Sequence, residues 1–184
     1  VEEPVETQVG QLLRRRGLKL ALAESCTGGL IGHRLTNVPG SSEYYLGGVI
    51  AYANEVKERL LGVRRETLAA HGAVSRETAL EMARGIRRAL AVDFPLEKTI
   101  GLSTTGVAGP GGGLPGKPVG LVWIGLSASE GDWAWRFLWG GSRLENKEHS
   151  AQAALRILGD YLHGNLPPEE GNCLQERTNR SRPW

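Results

Sequence analysis

A buried-strand pattern that breaks straight into a polar, glycine-paired turn constrains this chain more than any other feature. The apolar run at residues 18–23 is followed at once by Glu24-Ser25-Cys26-Thr27-Gly28-Gly29, and a helix-like stretch then continues through Leu35. A short continuous apolar run reads as a strand buried in a sheet, which requires packed layers around it. The turn at its carboxyl end is where α/β sheets place ligands.

The rest of the chain alternates in the same manner. Residues 8–16 carry apolar positions at helical spacing, and Gly17 stops them. A second strand is expected at 47–52, with Asn54 as the N-cap of a helix over 55–61. Ser75 caps a long amphipathic helix whose buried face is Ala79, Met82, Ala83, Ile86, Leu90 and Ala91. A third strand spans 99–105. Residues 106–118 then hold six glycines and three prolines and form a shaped loop. Strands at 119–128 and 133–139 flank Ser129-Glu130-Gly131-Asp132, the composition of a hairpin connection, and a last helix runs over 143–162. From Gly164 onward the residues are polar and mixed in charge, which predicts a disordered tail over 164–184 after one domain over 1–163. No internal repeat or heptad pattern is present.

Composition removes several function classes. The 184 residues suit one domain with a core that needs neither disulfides nor metals. A net charge of +2, from 22 basic against 20 acidic residues, argues against direct nucleic-acid binding. The single basic run, Arg14-Arg15-Arg16, spreads around a helix instead of forming one face. Cys26 and Cys173 lie in unlike settings and make no disulfide framework. No secretory signal or membrane span is seen, so a cytoplasmic location without membrane partners is expected.

Four passages hold residues fit for chemistry. Ser25 is either an N-cap or a nucleophile presented by the sharp turn, with backbone N–H groups around Thr27, Gly28 and Gly29 left to bind an anion or oxyanion. A serine nucleophile needs a base, and no histidine lies in a motif. Lys57 is the candidate. With Asn54 as N-cap it is the third helical residue, where the helix dipole lowers an amine pKa. That effect is worth at most about 1 kcal/mol, less than one pKa unit, so burial has to supply the rest. The other reading is an exposed helix lysine. Tyr52 is either a half-buried strand aromatic or a phenol beside Ser25, serving as proton relay or as anchor for the amine. Residues 111–117 match G-x-x-x-x-G-K, but Pro118 replaces the magnesium-binding hydroxyl and a strand follows, so a triphosphate loop is rejected. Thr105, Gly106 and neighbouring backbone remain candidates for a phosphate or carboxamide pocket. Arg143 is a phosphate clamp or an ordinary first-turn residue. The four histidines show no ligand spacing, and no metal site is expected. Cys26 is a weaker rival nucleophile for want of a base.

The passages AESCTGG at 23–29, YANEVK at 52–57, TTGVAGPGGG at 104–113 with KPVG at 117–120, and Arg143 together resemble the CinA C-terminal (PncC) family over residues 8–163. The resemblance implies a three-layer α/β/α fold with a mixed, largely parallel sheet. It also implies deamidation of nicotinamide mononucleotide to nicotinate mononucleotide and ammonia, with no cofactor, by Ser25, Lys57 and Tyr52. Thr27, Gly28, Gly29, Asn54, Thr105, Gly106 and Arg143 are then the substrate-binding candidates, and a homodimer is expected. Relatives often carry Gly-Asp-Arg and a second arginine four residues later, where this chain has Gly141-Ser142-Arg143 and Lys147. Two rival readings come with the family: a non-catalytic competence or DNA-damage accessory protein, and the C-terminal half of a longer two-domain protein.

Overall fold

Strand β1 (Lys19–Glu24) runs through the middle of the molecule because its side chains are apolar toward both faces. In the computed structural model, which describes residues 3–169, Leu20 and Leu22 pack on one side with Val9 and Leu13 of α1 (Val5–Arg16), Ile31 and Leu35 of α2 (Leu30–Thr36), and Leu155 and Leu158 of α6 (Arg143–His163). Ala21 and Ala23 point the other way. They meet Val56 and Leu61 of α3 (Asn54–Leu61), Leu68 of α4 (Arg65–His71), and Met82 and Ile86 of α5 (Arg76–Leu90). Each buried leucine contributes roughly 1.5–3 kcal/mol, so this strand holds two helical layers together at once. The result is the expected three-layer α/β/α sandwich.

β1 sits between parallel neighbours, β2 (Tyr45–Ile50) at the sheet edge and β3 (Thr99–Gly106) toward the centre. β4 (Leu121–Ala128) and β5 (Gly131–Leu138) complete the order β2-β1-β3-β4-β5, each antiparallel to the strand before it. Four strands thus share one direction and β4 alone opposes them, although by pairing the sheet is half parallel and half antiparallel. A two-residue turn, Ser129-Glu130, closes the β4–β5 hairpin.

Helix α5 begins where Ser75 predicts, with the Ser75 hydroxyl accepting from the Thr78 amide. It lies unusually close to the sheet because small residues face it. A Cβ added at Gly101 would lie 2.0 Å from the Ala83 carbonyl oxygen, and one at Gly125 would lie 2.5 Å from that of Ala79. Ser103 uses the same proximity to donate a hydrogen bond to Ala79 O at 2.6 Å. On its outer side α5 receives α3 at Gly85, where a Cβ would be 1.8 Å from Leu61 O.

Several boundaries differ from the sequence reading. α3 starts at Asn54 itself, with Ala53 as an N-cap that makes no side-chain bond, so Lys57 is the fourth helical residue and not the third. β2 begins two residues early and ends at Ile50, and the short helix α4 carries too few periodic positions to be read from pattern. The predicted tail does not begin at 164. Pro167 is buried, Leu166 packs on the core, Trp135 Nε1 donates to Pro167 O at 3.0 Å, and Glu169 accepts from the Ala134 amide at 2.7 Å while pairing with Arg76 at 2.8 Å. The remainder of the tail, Cys173 included, lies outside the described residues. Among the described residues no helix is long and apolar enough to cross a membrane.

Gly85→Ala tests the close helix contact. Helix propensity alone favours alanine by about 1 kcal/mol, but the collision with Leu61 O forces a backbone shift of the kind that costs about 1–3 kcal/mol. Urea unfolding should therefore show net destabilisation, where an open helical glycine would show a gain.

Candidate active site

The site is built where β1 ends. Glu24 follows Leu20 and Leu22 in alternation and sends its carboxylate to the α2 side, while Ser25 sends its hydroxyl toward α3. The Ser25 amide donates to Thr104 O at 2.9 Å, carrying the β1–β3 pairing one residue past the strand. Backbone torsions of φ 62° at Gly28 and 95° at Gly29 then turn the chain into α2, and two successive left-handed residues explain the paired glycines.

The amides of this turn are not as open as the sequence reading has them. The Gly28 amide donates to Ser25 O at 3.1 Å. The buried Glu24 carboxylate accepts from the amides of Gly29 at 3.0 Å, Ile31 at 3.1 Å and Gly32 at 2.8 Å, and from Thr27 Oγ1 at 2.7 Å. The amino end of α2, expected to receive a substrate anion, is filled by the protein's own carboxylate. Among the described residues the Cys26 and Thr27 amides alone in residues 25–29 have no protein acceptor, and they directly follow Ser25. Of the expected donors around Thr27, Gly28 and Gly29, the Thr27 amide is left open, joined by that of Cys26, while those of Gly28 and Gly29 are engaged.

Lys57 reaches Ser25 from α3. It is only 1% exposed, and its Nζ lies 2.8 Å from Ala51 O, 3.2 Å from Tyr52 O and 3.1 Å from Ser25 Oγ. Burial holds its pKa below the ordinary lysine value of 10.5. A neutral amine has two N–H bonds and one lone pair. With two carbonyls taking the N–H bonds, the lone pair is left facing the serine hydroxyl, the arrangement a general base requires. A charge on Cys26 would act in the opposite sense, but burial pushes that thiol up to about 12 and removes it as a nucleophile at neutral pH.

The other candidates divide. Tyr52 anchors the lysine amine, but through its carbonyl; its ring is 61% exposed and its phenol accepts from Arg143 Nη2 at 2.9 Å, away from Ser25. Arg143 also donates through Nη1 to Gly109 O at 2.7 Å and so joins the 52–57 passage to the glycine-rich loop at the rim. Thr27 is turned inward, sharing a 2.7 Å hydrogen bond with Thr104. Asn54 is exposed and makes no side-chain hydrogen bond among the described residues. Thr105 donates to Ala73 O at 2.7 Å, and a Cβ at Gly106 would lie 2.6 Å from Leu121 O. The β1–β3 register nonetheless continues from the Glu24–Thr104 pair to set Thr105 beside Ser25 on the neighbouring strand. Lys147, one helical turn after Arg143, stands over the mouth: its Nζ is 3.6 Å from where a Cβ at Gly28 would be, and no carboxylate pairs with it among the described residues. Glu24 and Lys147 were the residues missed. An acid closing an otherwise apolar strand was the available signal for the first.

Comparison with known proteins shows the family. The model of the CinA C-terminal domain matches residues 2–162. The chain belongs to the CinA C-terminal domain family. A CinA-like protein from Chloroherpeton thalassium is 52% identical over 167 residues, covering 87% of this chain but 38% of that relative. The chain thus spans less than two fifths of that relative's length. A CinA superfamily structure from Klebsiella pneumoniae superposes with a TM-score of 0.80 at 33% identity, covering 87% of this chain and 96% of the other. A competence/damage inducible protein from Agrobacterium tumefaciens gives 0.73 at 38%, covering 85% and 96%.

Those CinA names speak of competence and damage and state no reaction, so the chemistry of this CinA domain has to be argued from Ser25 and Lys57. Their geometry predicts that Lys57 titrates below the ordinary lysine value of 10.5. NMR titration of carbon-13-labelled lysine methylenes should show this; Lys57 titrating at or above that value would remove it as a base.

Proposed function

We propose that the chain is an amidohydrolase that deamidates nicotinamide mononucleotide. The observation that carries the reaction class is the buried Lys57 amine, 3.1 Å from Ser25 Oγ with two carbonyls fixing its N–H bonds. Neutral Lys57 takes the serine proton as Oγ attacks the carboxamide carbon. The oxygen that gains charge lies toward the Cys26 and Thr27 amides, where preorganised donors are worth about a hundredfold or more in rate. The lysine proton then passes to the departing nitrogen, the C–N bond breaks and ammonia leaves. Water, deprotonated by the same amine, attacks the acyl-serine, releases nicotinate mononucleotide and restores the serine.

The family resemblance supplies the substrate, and the rim supports a phosphorylated one. With the α2 terminus occupied by Glu24, the cations at the mouth are Lys147 beside Gly28 and Arg143 one turn earlier. A dianionic phosphate fits Lys147, which has no carboxylate partner among the described residues. The names of relatives favour a second reading, a non-catalytic accessory to competence or damage responses. A steep loss of DNA affinity with salt would support it.

Ammonia release from nicotinamide mononucleotide, with nicotinamide and its riboside as controls, separates these readings. Wild type should turn over the mononucleotide, and Ser25→Ala and Lys57→Ala should each lose at least about a hundredfold in kcat. Folded wild type without activity would favour the accessory reading.

Below the lowered lysine pKa the amine is protonated, so kcat/KM should rise with pH, with its midpoint below 10.5. Lys57→Arg, protonated throughout, should be inactive at every pH. Lys147→Ala should raise KM for the mononucleotide by about tenfold, the loss of one charge-assisted hydrogen bond, and leave kcat nearly unchanged.

A further inference from the structure

Glu24 is a buried carboxylate on the α2 side of the strand end, with no lysine or arginine partner among the described residues, and the reaction above assigns it no proton. We propose that Glu24 is a positioning residue that holds the Ser25 turn and the Lys57 anchor in one register, a role that rests on the amidase reading of this site.

Three observations carry it. α2 opens on Gly29, which offers no side-chain cap, so its first amides need acceptors from elsewhere. Glu24 supplies them for Gly29, Ile31 and Gly32, while Ser25 O takes the Gly28 amide. The two amides beside Ser25 that remain unpaired, Cys26 and Thr27, are left so because the others are engaged. Second, the Glu24 carbonyl accepts from the Ala51 amide at 2.8 Å, and the Ala51 carbonyl in turn holds Lys57 Nζ at 2.8 Å. One residue therefore reaches the nucleophile through its side chain and the base through its backbone. Third, Thr27 Oγ1 lies 2.7 Å from both the Glu24 carboxylate and Thr104 Oγ1, and Thr104 O accepts the Ser25 amide. The turn is thereby tied to β3 as well as to α2.

Glutamine has nearly the same shape as glutamate but cannot do this work. Its single oxygen can replace only one carboxylate oxygen, and its NH2 must then face an amide N–H that has no use for another donor. The turn relaxes and the hydroxyl shifts, and misplacement by about 1 Å is enough to cost about a hundredfold in rate.

Two readouts test this on wild type, Glu24→Gln and Glu24→Ala. One is kcat and KM for ammonia release. The other needs no natural substrate: the rate at which a small fluorophosphonate labels Ser25, followed by intact mass. There the Oγ–P bond forms, the P–F bond breaks, fluoride leaves and the serine proton passes to Lys57. Circular dichroism confirms folding at the assay temperature. Glu81→Gln is the control, since that carboxylate also accepts a backbone amide and a threonine hydroxyl, but at α4. Folded Glu24→Gln should fall about a hundredfold in both kcat and labelling while KM moves less than about threefold. Formate, filling the space left in Glu24→Ala, should restore both rates saturably. Glu81→Gln should lower Tm and leave both rates near wild type. Glu24→Gln labelling within about twofold of wild type, or formate restoring Tm without rate, would reduce Glu24 to a structural cap and overturn the proposal. Wild type that labels at Ser25 yet releases no ammonia would refute the substrate reading alone, leaving the labelling ratio to decide on Glu24. Wild type that does neither overturns both.

Discussion

Four hydrogen bonds converge on the Glu24 carboxylate, and they decide how the end of β1 becomes the start of α2. Buried charges are tolerated where donors surround them, and here the donors are amides that a helix terminus must satisfy in any case. The two needs cancel, and the sharp turn that presents Ser25 is stable without a bound ligand. The carboxylate thereby occupies the helix terminus that an anion would otherwise take.

Lys57 represents the opposite balance. An amine with almost no exposure, surrounded by two carbonyls and a hydroxyl, is held away from its charged form by desolvation. The charged amine is favoured in the unfolded chain over the folded one, so this residue subtracts from stability in full below its lowered pKa, and the deficit fades as pH rises from there through the ordinary lysine value of 10.5. Such a burden persists when a neutral amine is needed for function. The compensation comes from the scaffold: Ala21 and Ala23 allow α3 and α5 to approach the sheet, and Gly85 lets Leu61 sit against α5. α3 carries Lys57, so small residues far from Ser25 set the distance between the Ser25 hydroxyl and the Lys57 amine.

The rim is built differently. Arg143 is hydrogen-bonded to an exposed phenol and a loop carbonyl, and Asn146 of α6 donates to Ala108 O at 3.0 Å. The Arg143 contacts lie toward the exposed rim, where individual bonds are weak, whereas the Asn146 bond is buried and ties α6 firmly to the glycine-rich loop.

The sequence by itself determined the alternation of strands and helices, the turn after β1, the Ser75 cap, the hairpin and the long last helix, since each is written in periodicity or in a capping residue within a few positions. It also brought Ser25 and Lys57 forward together, through their motifs. Only the tertiary structure decided that the Tyr52 carbonyl holds Lys57 while its phenol meets Arg143, that Thr105 bonds Ala73, that Pro167 and Glu169 reach β5, and that Glu24 occupies the helix terminus. The reason is physical: local pattern reports which face of an element is buried, whereas the partner a polar group finds depends on elements far away in the chain that folding brings within about 3 Å.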